Sequence, residues 1–185
     1  MPEAEIIQLQ ALTELRKVLG AESVYTLSAE SHCAALLKQQ GKLKAAQTQY
    51  RKTLATLSRT EGSDKIETLD CMFALSNLLR EQGQLPEALT LAREAAENAR
   101  RTLHKRDYRV GVFLAGYGQA LVASGQLQDA EPVFQEAQSR LSFVETVNPI
   151  YFPNVIRGFI FLYEARDEAE PGKGFNGNAA EWQKN

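Results

Sequence analysis

The sequence predicts an all-α protein made of stacked antiparallel helical hairpins, on three observations. A block of residues recurs without gaps every 42 positions, the apolar residues inside each block follow helical spacing, and the composition is that of an ordinary globular chain. Of the 185 residues, 44% are hydrophobic and 24% are charged, so neither a disordered nor a fibrous class is indicated. This length suits one domain or one short repeat array, and it leaves no room for a separate catalytic domain.

The repeat is clearest around three glycines, Gly41, Gly83 and Gly125, which stand 42 residues apart. Three eleven-residue segments align around them without a gap: 36–46, 78–88 and 120–130. Glycine adopts a left-handed backbone conformation at little cost, so it is typical of the point where one helix ends and the chain turns. Each unit is therefore predicted to contain a helix A, a tight turn at the glycine and a helix B.

Two kinds of column in the repeat predict how these helices pack. Apolar residues stand eight and four positions before the glycine, on one helical face: Cys33 and Leu37, Leu75 and Leu79, Tyr117 and Leu121. They are expected to form the inward stripe of helix A. Small residues stand seven positions before the glycine and five after it: Ala34 and Ala46, Ser76 and Ala88, Gly118 and Ala130. Small side chains at these points let two helices approach closely.

The register divides the chain, predicted as one domain over residues 1–185, into successive elements. In order they are an N-terminal cap helix (3–19), repeat 1 (22–60), repeat 2 (64–103), repeat 3 (106–143), and an incomplete fourth repeat with a Gly/Asn-rich loop and a short C-terminal cap (147–185). The cap helix takes the place of a helix B with no helix A before it. A fourth helix A is expected from about 148 to 165, with Asp167 where the turn glycine should stand.

The last segment contains too many helix breakers for a helix interior. Residues 166–178 include Pro171 and several glycines and asparagines, so the last helix is expected to be short at best. Trp182 is either part of a terminal cap or a loose indole in a frayed tail.

These columns resemble the tetratricopeptide repeat, whose usual unit is about 34 residues long. The 42-residue unit, with a Thr-Leu pair at the start of helix A (Thr26-Leu27 and Thr68-Leu69), is more similar to the kinesin light chain type, which also occurs in bacterial multidomain proteins. The resemblance covers about residues 5 to 165 and implies a right-handed superhelix, an α-solenoid. HEAT-type repeats have similar periods, but the glycine turn flanked by small residues favours the tetratricopeptide interpretation.

The resemblance also implies a binding site, because in such arrays the A helices line a concave groove. Carried over by register, the family's ligand-contacting columns give the candidate groove residues Ser31, Lys38, Phe73, Asn77, Arg80, Gln119, Asn154, Arg157 and Phe161. The amides of Asn77 and Gln119 would bond a peptide backbone, the two phenylalanines would take an apolar side chain, and the cations would pair with carboxylates. Taken singly, each of these residues also fits a solvated helix face.

Two departures from related patterns leave the class of partner open. Kinesin light chain repeats usually carry an asparagine nine residues before the glycine, where this sequence has His32, Ala74, Gly116 and Gly158. The groove columns also do not reproduce the lysine and asparagine pattern with which some chaperone-binding arrays hold a C-terminal carboxylate.

Other functions find little support in the sequence. With 21 basic and 23 acidic side chains, the chain lacks the positive surplus that nucleic-acid binding needs. The two histidines, His32 and His104, fall in unrelated columns, and no nucleophile or phosphate-binding motif is present. No catalytic residue, cofactor or metal is therefore predicted. The absence of a signal peptide and of a membrane-spanning stretch predicts a cytoplasmic protein, and Cys33 and Cys71 are expected to be buried thiols in a reducing compartment.

The predicted function is a protein–protein interaction module that binds a partner peptide or helix in the groove. The alternative is a homo-oligomerisation or scaffold module that assembles, for example as a homodimer, through its uncapped ends. A small-molecule sensor or an enzyme regulator is a third possibility that the sequence leaves open.

Overall fold

The computed structural model describes residues 2–142, 152–173, 175, 177 and 178. In this part of the chain there are eight helices and no strand: α1 (Pro2–Leu19), α2 (Val24–Gln39), α3 (Leu43–Thr60), α4 (Ile66–Glu81), α5 (Leu85–Thr102), α6 (Tyr108–Ala123), α7 (Leu127–Ser142) and α8 (Phe152–Ala169). Helices α2 and α3, α4 and α5, and α6 and α7 form three hairpins in sequence. The predicted all-α class is confirmed.

The three turn glycines have the same conformation and the same hydrogen bonds. Gly41, Gly83 and Gly125 each have φ of +74°, the left-handed conformation that ends a helix. The backbone N–H one residue after each glycine donates to the carbonyl of the leucine four residues before it, at 2.9 Å in all three repeats. The leucine column therefore serves both the core, through its side chain, and the turn, through its carbonyl.

The threonine of the Thr-Leu pair at the start of helix A binds the connector that precedes the helix. The hydroxyls of Thr26 and Thr68 donate at 2.8 Å to the carbonyls of Gly20 and Gly62 in the preceding connectors, and both side chains are buried. In the third hairpin the same position is Val110, which has no hydroxyl. There Asp107 caps α6 instead, because its side chain accepts from the N–H of Arg109.

The small residues of the repeat are buried between the helices. Ala46, Ala88 and Ala130 are buried, as are Ala34 and Ser76. The apolar stripe is less uniform, because Leu75, Leu79 and Leu121 are buried whereas Cys33, Leu37 and Tyr117 are only partly so. Cys33 therefore differs from the expected buried thiol, and Cys71 agrees with it.

Among the side chains described in α1, one buried apolar residue and one ion pair connect this helix to α2. Leu12 is buried, and Arg16 lies 2.6 Å from the carboxylate of Glu30, which is 4% exposed. Glu30 also accepts hydrogen bonds from Gln49 and Thr53 of α3. A second face of α1 stays open to solvent, because Ile7 is 65% and Val18 is 74% exposed.

Helix α8 continues past the position where the fourth turn was expected. It includes Asp167 and ends at Ala169, and the positive φ of this unit, +86°, belongs to Gly172. The segment 166–169 contains no helix breaker, and Arg166 fixes it to α7 by pairing with Glu131 and by donating to the carbonyl of Leu127. The predicted role of Trp182 falls outside the described residues.

Candidate binding groove

An open cavity of about 740 Å³, here named the groove, lies along the A helices. Helices α2, α4, α6 and α8 contribute its lining, together with Phe134 from α7. Seven of the nine predicted residues line it: Lys38, Phe73, Asn77, Arg80, Gln119, Arg157 and Phe161. These side chains come from positions far apart in the chain, and the 42-residue register brings them to one surface.

Two predicted residues are not among the lining side chains. Ser31 is partly buried, and its Oγ is enclosed by protein atoms. It lies beside Cys71, where burial raises the thiol pKa to about 11 and the serine hydroxyl opposes that shift. Asn154 belongs to the first turn of α8, and its side chain is outside the described residues.

The polar end of the groove is held together by contacts between neighbouring A helices. Lys38 of α2 pairs with Glu81 of α4 at 2.7 Å. Arg80 of α4 donates to the amide oxygen of Gln119 in α6 at 3.2 Å and, at a marginal 3.5 Å, to that of Asn77. Burial lowers the pKa of Arg80. The amides expected to read a peptide backbone thus also contact this arginine.

A ring takes the space that a side chain would need in the column nine residues before the turn glycine. A Cβ on Gly116 would overlap Cε2 of Phe73, whose ring packs edge-on against Phe113 at a centroid distance of 5.7 Å. A Cβ on Gly158 would overlap Cε1 of Phe134. At these two of the four positions, a clamp asparagine would collide with an aromatic ring as it is packed here.

On its α8 side the groove combines an exposed ring with charged side chains, which include Arg157. Phe161 is 51% exposed there, beside Val122 and Ala165. Glu164 and Glu168 of α8 are also exposed along this edge. Extending the register by two more columns in the fourth unit would have identified Glu164 and Ala165. Glu168 could not have been found in that way, because it depends on the extra length of α8.

Within the described segments, no three His, Cys, Asp or Glu side chains are grouped so that they could bind a metal ion. No helix in the described part of the chain combines the length and the hydropathy that crossing a membrane requires. A cytoplasmic location stays a prediction.

Comparison with known proteins supports the repeat assignment. Residues 25–101, which include the first two hairpins, match the family model of the tetratricopeptide repeat. No curated protein matches the chain. The predicted resemblance to tetratricopeptide repeats is thus confirmed for this part of the sequence.

Similar solved structures extend the likeness to the whole chain. One is a Podosopora anserina protein described as a kinesin light chain with nearly identical TPR-like repeats; it is 20% identical, with a TM-score of 0.70. A single-residue variant of that protein gives the same identity and a TM-score of 0.71, and each alignment covers 99% of this chain and 82% of the other. BtubC (BKLC) from P. vanneervenii is 14% identical with a TM-score of 0.78, covering 99% of this chain and 73% of its own. At these identities the likeness shows the fold, which is the predicted TPR-like solenoid.

Proposed function

We propose that this tetratricopeptide-like array is an interaction module whose groove binds a peptide or a helix of a partner protein. Repeats of this family generally act in protein–protein interaction. The observation that carries the proposal is the groove itself, an open cavity lined by four successive A helices. It is large enough to enclose several side chains of a partner.

The lining supplies the two kinds of contact that peptide recognition uses. Phe73 and Phe161 offer rings to an apolar side chain, and the amides of Asn77 and Gln119 offer donors and acceptors to a backbone. Apolar contacts of this kind supply most of the binding free energy, and the polar groups fix register.

A selection of short random peptides displayed on phage would test this function. Binders to the wild-type chain would be synthesised and their affinities measured by fluorescence anisotropy. The variants Asn77→Ala and Phe161→Ala should each weaken binding roughly tenfold, since each removes a contact from the groove. Arg101→Gln is the matched control, because this exposed arginine of α5 is not among the groove-lining residues and donates a hydrogen bond to Asn98 of its own helix. Peptides that bind all four chains equally would exclude the groove as the site.

The open face of α1 favours a second function, self-assembly into a homodimer. Ile7 and Val18 lie on the same side of the helix, about three turns apart, and both are largely exposed. Light scattering at several concentrations would test it. A dimer that persists in Asn77→Ala and dissociates in Val18→Glu supports assembly through α1, whereas a strict monomer at all concentrations rules it out.

A further inference from the structure

We infer that the chain docks onto a second copy of itself through two oppositely charged patches, so that the end of α8 in one copy contacts the connector between α5 and α6 in the next. The basic patch consists of Lys105 and Arg106, and the acidic patch consists of Glu164 and Glu168. This inference goes beyond the proposed function, because it requires neither a peptide in the groove nor the open face of α1.

Positive charge is concentrated around the connector between α5 and α6. Residues 100–109 contain five arginines or lysines and one aspartate, in a chain whose formal net charge is −2. The cations at the two sides of the connector have carboxylate partners, because Arg100 pairs with Glu136 and Arg109 pairs with Asp107. The connector itself keeps its charge.

Lys105 and Arg106 are exposed cations on a fixed backbone. Neither forms an ion pair within the described residues. Arg140 of α7 donates to the carbonyl of Lys105 at 3.0 Å, and the N–H of Arg106 donates to Nδ1 of His104 at 3.2 Å. Because the connector is already ordered, docking there has to immobilise side chains but not a loop.

The end of α8 carries the complementary charge. Glu164 and Glu168 stand four residues apart, so their side chains share one face of the helix, with Cβ atoms roughly 5–6 Å apart. Both are exposed, and neither has an ion-pair partner in the part of the chain that the structure describes. Arg166, which lies between them in sequence, is neutralised by Glu131 of α7.

A single copy cannot bring its two patches together. Arg166 donates to the carbonyl of Leu127, so the end of α8 lies beside the turn between α6 and α7. The basic patch precedes Tyr108, at the opposite end of α6. This helix has 16 residues and is therefore about 24 Å long, a length that no ion pair spans. The two patches can consequently meet only between copies.

A second copy matches the basic patch in both the sign and the number of its charges. Two exposed carboxylates would face two exposed cations. The contact is heterologous because it joins different surfaces, so every pair of copies leaves one patch of each kind free and further copies can add. Exposed ion pairs contribute little each. We therefore expect weak association that salt suppresses.

Sedimentation velocity of the wild-type chain tests the association. At about 20 mM salt, larger species should appear as the protein concentration rises, whereas about 500 mM salt should return them to the monomer, because salt screens exposed charges. A wild-type chain that stays monomeric at low salt would overturn the inference.

Reversing the charge of either patch should weaken the association at low salt about tenfold or more, because attraction is replaced by repulsion. The two variants are Lys105→Glu with Arg106→Glu, and Glu164→Lys with Glu168→Lys. Circular dichroism melting establishes that each is folded. If either variant associates as the wild type does, the corresponding patch is not part of the contact and the inference fails.

The matched control reverses two exposed lysines at the opposite edge of the array. Lys42→Glu with Lys44→Glu changes the net charge by the same amount as reversal of the basic patch, but it lies at the turn of Gly41. It should associate as the wild type does. An equal loss in this control would mean that net charge and not the patch governs association, and would overturn the inference.

Mixing the two charge-reversed variants provides the sharpest test. One variant then has two acidic patches and the other has two basic patches, so each alone should be monomeric at low salt. An equimolar mixture should associate, because every contact again joins opposite charges. A mixture that stays monomeric would contradict the pairing of these two patches.

The outcomes also separate this contact from assembly through α1. An apolar contact at α1 should persist in high salt and be lost in Val18→Glu, whereas the contact inferred here should be retained in that variant. Association that is lost in Val18→Glu and survives reversal of both patches would overturn the inference and support assembly through α1. The peptide experiments on the groove are independent of either result.

Discussion

Glycine has two separate roles in this chain, and they differ in what a methyl group would meet. At Gly83, as at the other turn glycines, a Cβ would have no neighbour within 4 Å, and the constraint is the positive φ. At Gly158, inside α8, the backbone is helical and the constraint is a ring. The turn role is visible in the sequence because the glycine recurs. The packing role of Gly158 is not visible in the sequence, because the ring that it contacts, that of Phe134, belongs to another repeat unit.

Gly158→Ala is expected to destabilise the fold by about 1–3 kcal/mol through overpacking. The new methyl would meet the ring of Phe134, which is buried and also lies against Gly118. This cost should exceed the gain of up to about 1 kcal/mol from replacing glycine in a helix. Urea unfolding would measure it. Combining the change with Phe134→Leu should recover part of the loss, and strict additivity would contradict the proposed clash.

The small-residue column makes a parallel prediction at Ala88. Ala88→Leu would place a large side chain where α5 is buried against its neighbours, at an expected cost of about 1–3 kcal/mol. Gln84→Leu adds a leucine at the exposed N-cap position of the same helix and should cost much less. Equal shifts of the urea midpoint would show that this column does not mark a close helix contact.

In the third complete hairpin, helix A begins differently from helix A of the first two, although all three share one register. The threonine hydroxyl that binds the connector in repeats 1 and 2 is missing at Val110, and Asp107 caps α6 in its place. The equivalent positions Ser23 and Lys65 make no side-chain cap hydrogen bond. The third repeat has thus replaced a contact to the connector with a cap on the helix itself.

Asp107→Ala is expected to cost about 1 kcal/mol, the usual effect of losing an N-cap, whereas Asp107→Asn should retain most of it. The hydrogen bond from the Arg109 guanidinium holds the pKa of Asp107 below its ordinary value. Its stabilising charge is therefore fully present above pH 3.8, the ordinary value, and is lost as the pH falls through the lower pKa of the folded state.

The measurement is the urea midpoint of both variants and the wild type from neutral pH down to about pH 3. Asp107→Asn should lose less stability on acidification than the wild type, by well under about 1 kcal/mol, because the pair is partly exposed. Identical pH profiles would mean that the Arg109 pair contributes nothing to the folded state.

Element positions were largely readable from the sequence, and the exceptions have identifiable causes. The hairpins follow from the glycine period and the apolar columns, which are local in the chain. The end of α8 departs from the register because Arg166 is fixed to Glu131 and Leu127 of the preceding hairpin. A contact between units cannot be seen from the pattern within one unit.

At the scale of the whole molecule, the repeat register predicts which residues of different repeats lie on the same surface. It does not predict the contacts that each of those side chains makes there. It placed seven candidate residues in one cavity. It did not indicate that Ser31 would be enclosed beside Cys71, or that Arg80 would lack a carboxylate while Lys38 has one. Those outcomes depend on the distances between helices of different repeats, and these distances cannot be read from the residues of one repeat.

The core is divided into two clusters, and this division predicts graded stability along the array. One cluster joins α2 to α5 around Leu27 and Leu57, and the other joins α4 to α8 around Phe113, Phe134 and Phe159. Both include residues of α4 and α5. Because each unit of a repeat array is stabilised mainly by its neighbours, a core change should act most strongly within its own cluster.

Phe134→Ala should cost about 3–5 kcal/mol and lower amide hydrogen-exchange protection first in α6, α7 and α8, because the ring lies between α6 and α8. Leu27→Ala should cost about 2–5 kcal/mol and lower protection mainly in α2 and α3, with α8 little changed. Exchange measured by mass spectrometry on both variants would distinguish the two patterns. A uniform loss of protection from either change would mean that the eight helices unfold as one cooperative unit, and that the boundary between the two clusters has no thermodynamic effect.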